Sequence, residues 1–112
     1  MQILKFGGSS VSNAENIDKI IGIIQRGENH EKTIVVVSAL GGVTDTLINS
    51  VVLASLGDEQ YKEKLREIEK RHMEVVKNLL PVAHQSSILS LVKKSCNEME
   101  DICNGVFLLQ EL

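Results

Sequence analysis

The sequence has little that stacks on bases and little that grips a polyanion. Of its 112 residues only Phe6, Tyr61 and Phe107 are aromatic, and none is tryptophan. No basic block occurs, and the net charge is −3. Both features argue against a non-specific nucleic-acid binder. No apolar run approaches the ~20 residues of a membrane span, so no membrane partner is expected. The N-terminus places Lys5 inside an apolar run and has no charged-then-apolar signal pattern, so a cytoplasmic location is expected. No Cys/His cluster has metal-ligand spacing, and no metal site is expected from these residues. Neither G-x-x-x-x-G-K-[ST] nor G-x-G-x-x-G is present, which excludes a Walker-type loop and weakens a Rossmann reading. No nucleophile–base pair supports covalent catalysis. His72 sits on an apolar helical face as a packing histidine, while His30, in a polar turn, and His84, just after Pro81, have no evident partner.

What is present is one device used twice. Lys5-Phe6-Gly7-Gly8-Ser9-Ser10-Val11-Ser12 and Ser38-Ala39-Leu40-Gly41-Gly42-Val43-Thr44-Asp45 each follow a short apolar run and precede a helical pattern. Strand, glycine pair, hydroxyl residues, helix is an arrangement that sets backbone N–H groups against anionic oxygens. Ser12 and Glu15 have capping-box spacing, and Ile17, Ile20, Ile21 and Ile24 then make one apolar face ending at Arg26-Gly27. Thr33-Ile34-Val35-Val36-Val37 is β-branched and non-alternating, the pattern of a parallel strand covered on both faces. Together these predict a βαβ unit with both glycine loops at one sheet edge and two helix N-termini turned into one crevice. Lys5, at the end of the first strand, needs either an anionic partner or a route for its head to water.

A second helix is expected over about Val43 to Leu56, with Leu47, Ile48, Val51 and Val52 inward and Gly57 closing it. Asp58 then reads as an N-cap. Tyr61, Leu65, Ile68, His72, Val75 and Leu79 step by four and three until Pro81, and Ile88, Val92, Ser95, Met99, Ile102, Val106 and Leu109 repeat the stepping. Two such helices joined by a short turn predict a long antiparallel hairpin. Cys96 and Cys103, seven apart, fit one side of a helix as buried, reduced thiols. The fold class expected is α/β: a βαβα segment over 1–57 and a helical hairpin over 58–112, parts of one domain. The pattern still runs apolar at Leu112, so the chain is expected to be a piece of a longer protein. Two strands alone leave open edges, so self-association or element swapping is expected.

Lys5-Phe6-Gly7-Gly8-Ser9-Ser10-Val11 resembles the N-terminal signature of the aspartokinases, within the amino-acid kinase fold. Val36 through Asp45 resembles their second motif, and the helical part ending at Ile102 to Leu109 is similar to the enzymes fused to homoserine dehydrogenase. The resemblance implies a parallel-sheet sandwich and transfer of the ATP γ-phosphoryl group, with Mg²⁺, to the side-chain carboxylate of L-aspartate. It implies a homo-oligomer, and NAD(P) only if a homoserine dehydrogenase domain follows. Carried over by position, Lys5 is the catalytic ammonium on the ATP phosphates. Phe6, Gly7, Gly8, Ser9, Gly41 and Gly42 are implied beside it at the phosphates. Ser38, Ala39 and Thr44 are implied at the substrate. Ser9 stands where the family more often has threonine and keeps the hydroxyl. The acceptor carboxylate is ionised at neutral pH, with a pKa near 3.9, so no general base is required. A glutamate or uridylate kinase of the same fold, or a non-enzymatic helical interaction module, are the rival readings. The string at Lys5 to Val11 speaks against the first, and the doubled loop is unexplained by the second.

Overall fold

A computed structural model describes residues 1–27 and 32–110; His30 and Leu112, both read above, lie outside the described residues. Contacts within the chain divide it into two compact units, Met1–Thr44 and Asp45–Leu112.

In the first unit, β1 (Gln2–Phe6), α1 (Ala14–Arg26) and β2 (Thr33–Val37) form the expected βαβ order. The strands pair in parallel, Gln2 beside Thr33 through Phe6 beside Val37. Side chains alternate along β1: Leu4 and Phe6 are half-buried, whereas Ile3 and Lys5 are exposed on the other face. Ile20 of α1 and Val11 of the preceding loop are buried. The helix begins differently from the expectation at Ser12. Asn13 is the N-cap, its side chain accepting from Asn16 N at 2.9 Å. Ser12 instead donates to Ser9 O at 2.9 Å. Both residue types can cap; the one with extended backbone, φ −154°, takes the role.

The covered strand predicted at Thr33–Val37 is not found. Every residue of β2 is exposed, Ile34 at 47% and Val37 at 56%. Among the described residues the sheet has two strands, so β2 has a neighbour on one edge only. Its β-branched, non-alternating run is the composition of an interior strand, and a two-stranded sheet does not bury it.

The second unit carries most of α2 (Val43–Ser55), then α3 (Tyr61–Leu79), a single 3₁₀ turn at Val82–His84, and α4 (Gln85–Leu109). Gly57 ends α2 with φ +73°, its N–H on Ala54 O while Asp58 N reaches Leu53 O. This is a Schellman closure, and the positive φ is why glycine stands there. The N-cap of α3 is Gln60 rather than the expected Asp58, whose Oδ1 instead accepts from Gln60 N at 2.9 Å in the turn ahead of the helix. Pro81 follows the end of α3.

Tyr61, Leu65 and Ile68 of α3 are buried, as the stepping read from the sequence expects, but further on Val76 is buried in place of Val75, and His72 and Leu79 are half-buried. Tyr61 is fully buried, 5.5 Å from the Phe107 ring centroid, and its hydroxyl donates to Asn104 Oδ1 at 3.3 Å. Midway along α3, Glu69 meets Lys93 at 2.7 Å. At the start of α4, Gln85 Nε2 donates to the carbonyls of Lys77 and Leu80.

Two expected faces are corrected. On α4 the inward line has Cys96 and Cys103 buried and Val92, Met99 and Val106 half-buried, so Ser95 gives way to Cys96 and Ile102 to Cys103. Ile102 and Leu109 are 64% and 65% exposed. Val92, Met99 and Val106 keep their expected places, and only the two positions between them move on by one residue, with Phe107 against Tyr61. On α2, Ile48, Val51 and Val52 are exposed, and the fully buried positions are Ser50 and Ala54. The Ser50 hydroxyl donates to Thr46 O at 2.8 Å, which satisfies it without a partner outside its own helix.

Candidate phosphate-loop site

The site is confined to the first unit. After Phe6 and Val37 the two chains leave the sheet at the same end, and Ser38 N donates to Phe6 O at 3.2 Å, carrying the ladder one residue past β2. The two glycine turns then touch. A Cβ on Gly41 would lie 2.9 Å from Gly8 O and 3.3 Å from Ser12 Cβ. A Cβ on Gly8 would lie 3.3 Å from Ser38 Oγ and 3.5 Å from Gly41 Cα. Glycine at 41 is therefore required by backbone approach, and glycine at 42 by its φ of +82°. Gly7 has no such constraint, since nothing lies within 4 Å of a Cβ there. Its carbonyl accepts from Ser10 N at 3.1 Å, closing the first turn. Val43 N on Leu40 O at 3.0 Å closes the second.

The start of α1 belongs to the same cluster, because Ser12 lies against Gly41. Asn16 Nδ2 donates to Ser9 O and to Ser12 Oγ, both at 3.1 Å. Sequence reasoning missed Asn13 and Asn16. The spacing Ser12-Asn13…Asn16 was the available signal, since an Asn three residues before another can cap and be capped in one turn.

The structure thus brings Gly8, Ser9, Ser12, Ser38 and Gly41 together, with Phe6, Gly7, Ala39 and Gly42 adjoining in sequence. Thr44 is the second residue of α2, just beyond Gly42. Lys5 stands apart from one feature of this region. A cavity of about 300 Å³ lies on the α1 side of β1, lined by Phe6, Ser9, Ser10, Asn16, Lys19 and Ile20 among others. Lys5 is on the opposite face of β1 and is not part of that lining. Among the described residues no carboxylate pairs with it. What the arrangement offers chemically is a pair of close-set turns with exposed backbone and hydroxyls, and one ammonium on the outer sheet face.

The other titratable candidates lie in the second unit. His72 Nδ1 is 2.7 Å from Ile68 O, a packing contact as expected. Cys96 and Cys103 are free, and burial pushes both thiols up. Among the described residues no helix is long and apolar enough to cross a membrane.

Comparison with known proteins agrees with the loop geometry. The model of the amino acid kinase family matches residues 1–104. A bifunctional aspartokinase/homoserine dehydrogenase of Buchnera aphidicola is 29% identical over 99% of this chain and 14% of its own length. An aspartokinase of Chlamydia pneumoniae is 43% identical over 69% of this chain and 16% of its own length. A chloroplastic bifunctional aspartokinase/homoserine dehydrogenase of Zea mays is 30% identical over 93% of this chain and 11% of its own length. The chain therefore spans only a small part of the relatives it matches, and it resembles aspartokinases over most of its own length. With its parallel βαβ unit and apposed glycine turns, the chain belongs to the amino acid kinase family.

Proposed function

We propose that this chain provides the phosphate-holding loops of an aspartate kinase. The reaction is transfer of the γ-phosphoryl group of ATP to the side-chain carboxylate of L-aspartate, giving 4-phospho-L-aspartate. That product opens the route to lysine, threonine and methionine. The observation that carries the reading is the contact of Gly8 with Gly41 at one end of two parallel strands. Two turns that close set backbone N–H groups where the oxygens of one polyphosphate could meet both. We read Lys5, Phe6, Gly7, Gly8, Ser9, Gly41 and Gly42 as the ATP-phosphate contacts, and Ser38, Ala39 and Thr44 as the aspartate side.

Both reactants are anions, so the barrier to be lowered is their repulsion and misalignment. Lys5, on the outer face of β1, is the residue assigned to screen that charge. An ionised carboxylate needs no proton removed before it attacks, which fits a site without a base. Mg²⁺ bound to ATP neutralises phosphate charge in such reactions. Among the described residues no three His, Cys, Asp or Glu side chains cluster as metal ligands, so no Mg²⁺ site is assigned to them. We further read α3 and α4 as an antiparallel hairpin of the same domain, the sheet as the start of a larger sandwich, and the whole protein as a cytoplasmic homo-oligomer. The open edges of a two-stranded sheet lead us to expect self-association of residues 1–112 alone.

The test is a chimera in which residues 1–112 replace the matching stretch of the Buchnera aphidicola relative. Acyl phosphate formed from aspartate and ATP is trapped with hydroxylamine. The chimera is expected to be active, Lys5→Ala within it to lose about 100-fold or more in kcat with its fold intact, and residues 1–112 alone to be inactive. A near-normal kcat for Lys5→Ala removes Lys5 from the mechanism.

A further inference from the structure

The second unit contains a cleft that phosphoryl transfer does not use. It measures about 320 Å³ and lies between α3 and α4, with Ile68, His72, Val92, Cys96 and Met99 in its lining. Three of these side chains carry lone pairs suited to a soft ion: an imidazole, a thiol and a thioether. Cys96 and Met99 are three apart on α4 and so share a face. His72 comes from the facing helix. Sites built in this way, from side chains projecting inward from packed helices, are the usual form of metal site in helical bundles.

The imidazole is already set for the task. A carbonyl can only accept, so the 2.7 Å contact between Nδ1 and Ile68 O puts the proton on Nδ1. In the neutral ring Nε2 then keeps its lone pair. A backbone carbonyl fixing the remote ring nitrogen is the arrangement in which metal-bound histidines are held. Cys96 is 7% exposed and in no disulfide, so its sulfur is a free ligand shielded from oxidants.

The donor set also selects among metals. Among the described residues no three His, Cys, Asp or Glu side chains gather as ligands, so a carboxylate-rich or four-ligand zinc site is not on offer. One thiolate, one thioether and one imidazole suit a soft monovalent ion content with two or three ligands. We propose that the α3–α4 cleft binds one Cu(I) ion through Cys96, Met99 and His72. On binding, a copper–sulfur bond forms, the Cys96 proton leaves to solvent, and copper stays Cu(I), so no electron is transferred. Leu91, 60% exposed, also lines the cleft and marks its open side, where a carrier can hand the ion over by ligand exchange.

The test is competition, without oxygen, between the reduced chain and bicinchoninate for Cu(I), read from loss of the coloured chelate. One equivalent should be withdrawn. Cys96→Ser should weaken binding about 100-fold or more, and the volume-conserving Met99→Leu and His72→Gln about tenfold or more each. Cys103→Ser removes the other buried thiol and should leave affinity unchanged. Failure to withdraw copper overturns the site. So does an equal loss in Cys103→Ser, or wild-type affinity in both Met99→Leu and His72→Gln. Circular dichroism accompanies each variant; if Cys96→Ser unfolds, Met99→Leu decides, and wild-type affinity in that folded variant overturns the proposal.

Discussion

The unit Met1–Thr44 is ordered by its backbone, and the unit Asp45–Leu112 by its side chains. In the first, a parallel ladder and two touching glycine turns do the work, while β2 lies bare to solvent. In the second, fully buried Tyr61 and a line of apolar residues and thiols hold two long helices together. The difference teaches where each kind of substitution bites. A backbone-built site is damaged by adding atoms, and a packed helix pair by removing them.

The largest expected effect therefore belongs to Tyr61→Ala. It removes a buried ring, its contact with Phe107 and its bond to Asn104, and should destabilise the second unit by about 3–5 kcal/mol. Urea unfolding followed by helix signal measures it, and a loss under about 1 kcal/mol would erase the contrast.

Next comes Gly41→Ala, which must push a methyl against Gly8 O and should cost about 1–3 kcal/mol, with little change in helix signal. Gly7→Ala is its control, since a Cβ there meets nothing, and it should stay within about 1 kcal/mol of the native chain. Equal damage from the two would show that apposition of the turns is not what glycine secures.

Asn13→Ala should cost about 1 kcal/mol through loss of the α1 cap. Ser50→Ala in α2 should cost less than about 0.5 kcal/mol, because its hydroxyl only bonds back to Thr46 O. Thermal unfolding of the pair ranks them, and the reverse order would contradict the capping assignment.

The smallest effect is alkaline. Burial raises the thiols of Cys96 and Cys103 above 9.0 and the phenol of Tyr61 above 10.0. Between the ordinary and raised values the unfolded chain has lost protons that the folded chain keeps. Stability from these groups is thus level below pH 9.0 and falls as pH rises through the raised values. A Cys96→Ser/Cys103→Ser double variant should flatten part of that fall in urea midpoints.

The same division governs what the sequence discloses. The two glycine strings are legible because only glycine tolerates the approach at 41 and the φ at 42. Gly57 and Pro81 are legible for similar reasons of backbone geometry. Helix faces are less so. Ile48 and Val52 are more apolar than Ser50 and Ala54, yet the small pair is what disappears from solvent on α2. On α4, Ser95 and Cys96 fit the stepping almost equally, and it is Cys96 that is buried. Asn13 and Ser12 compete for one cap, and backbone angle settles it. β2 reads as buried because its composition answers to neighbours that two strands do not supply. Lys5 illustrates the last gap: position in a string does not say toward which face of a strand an ammonium turns.

Ser38 holds one more lesson. Its hydroxyl donates to Ala39 O at 2.6 Å, so its single proton is committed. In that pose the oxygen can offer an incoming carboxylate or phosphate only lone pairs, which repel it. Donating to an anion would need that proton turned about the Cβ–Oγ bond and the carbonyl released. Ser38 is therefore a fastener of its own loop: its one donor is engaged, and any new acceptor there would have to displace Ala39 O.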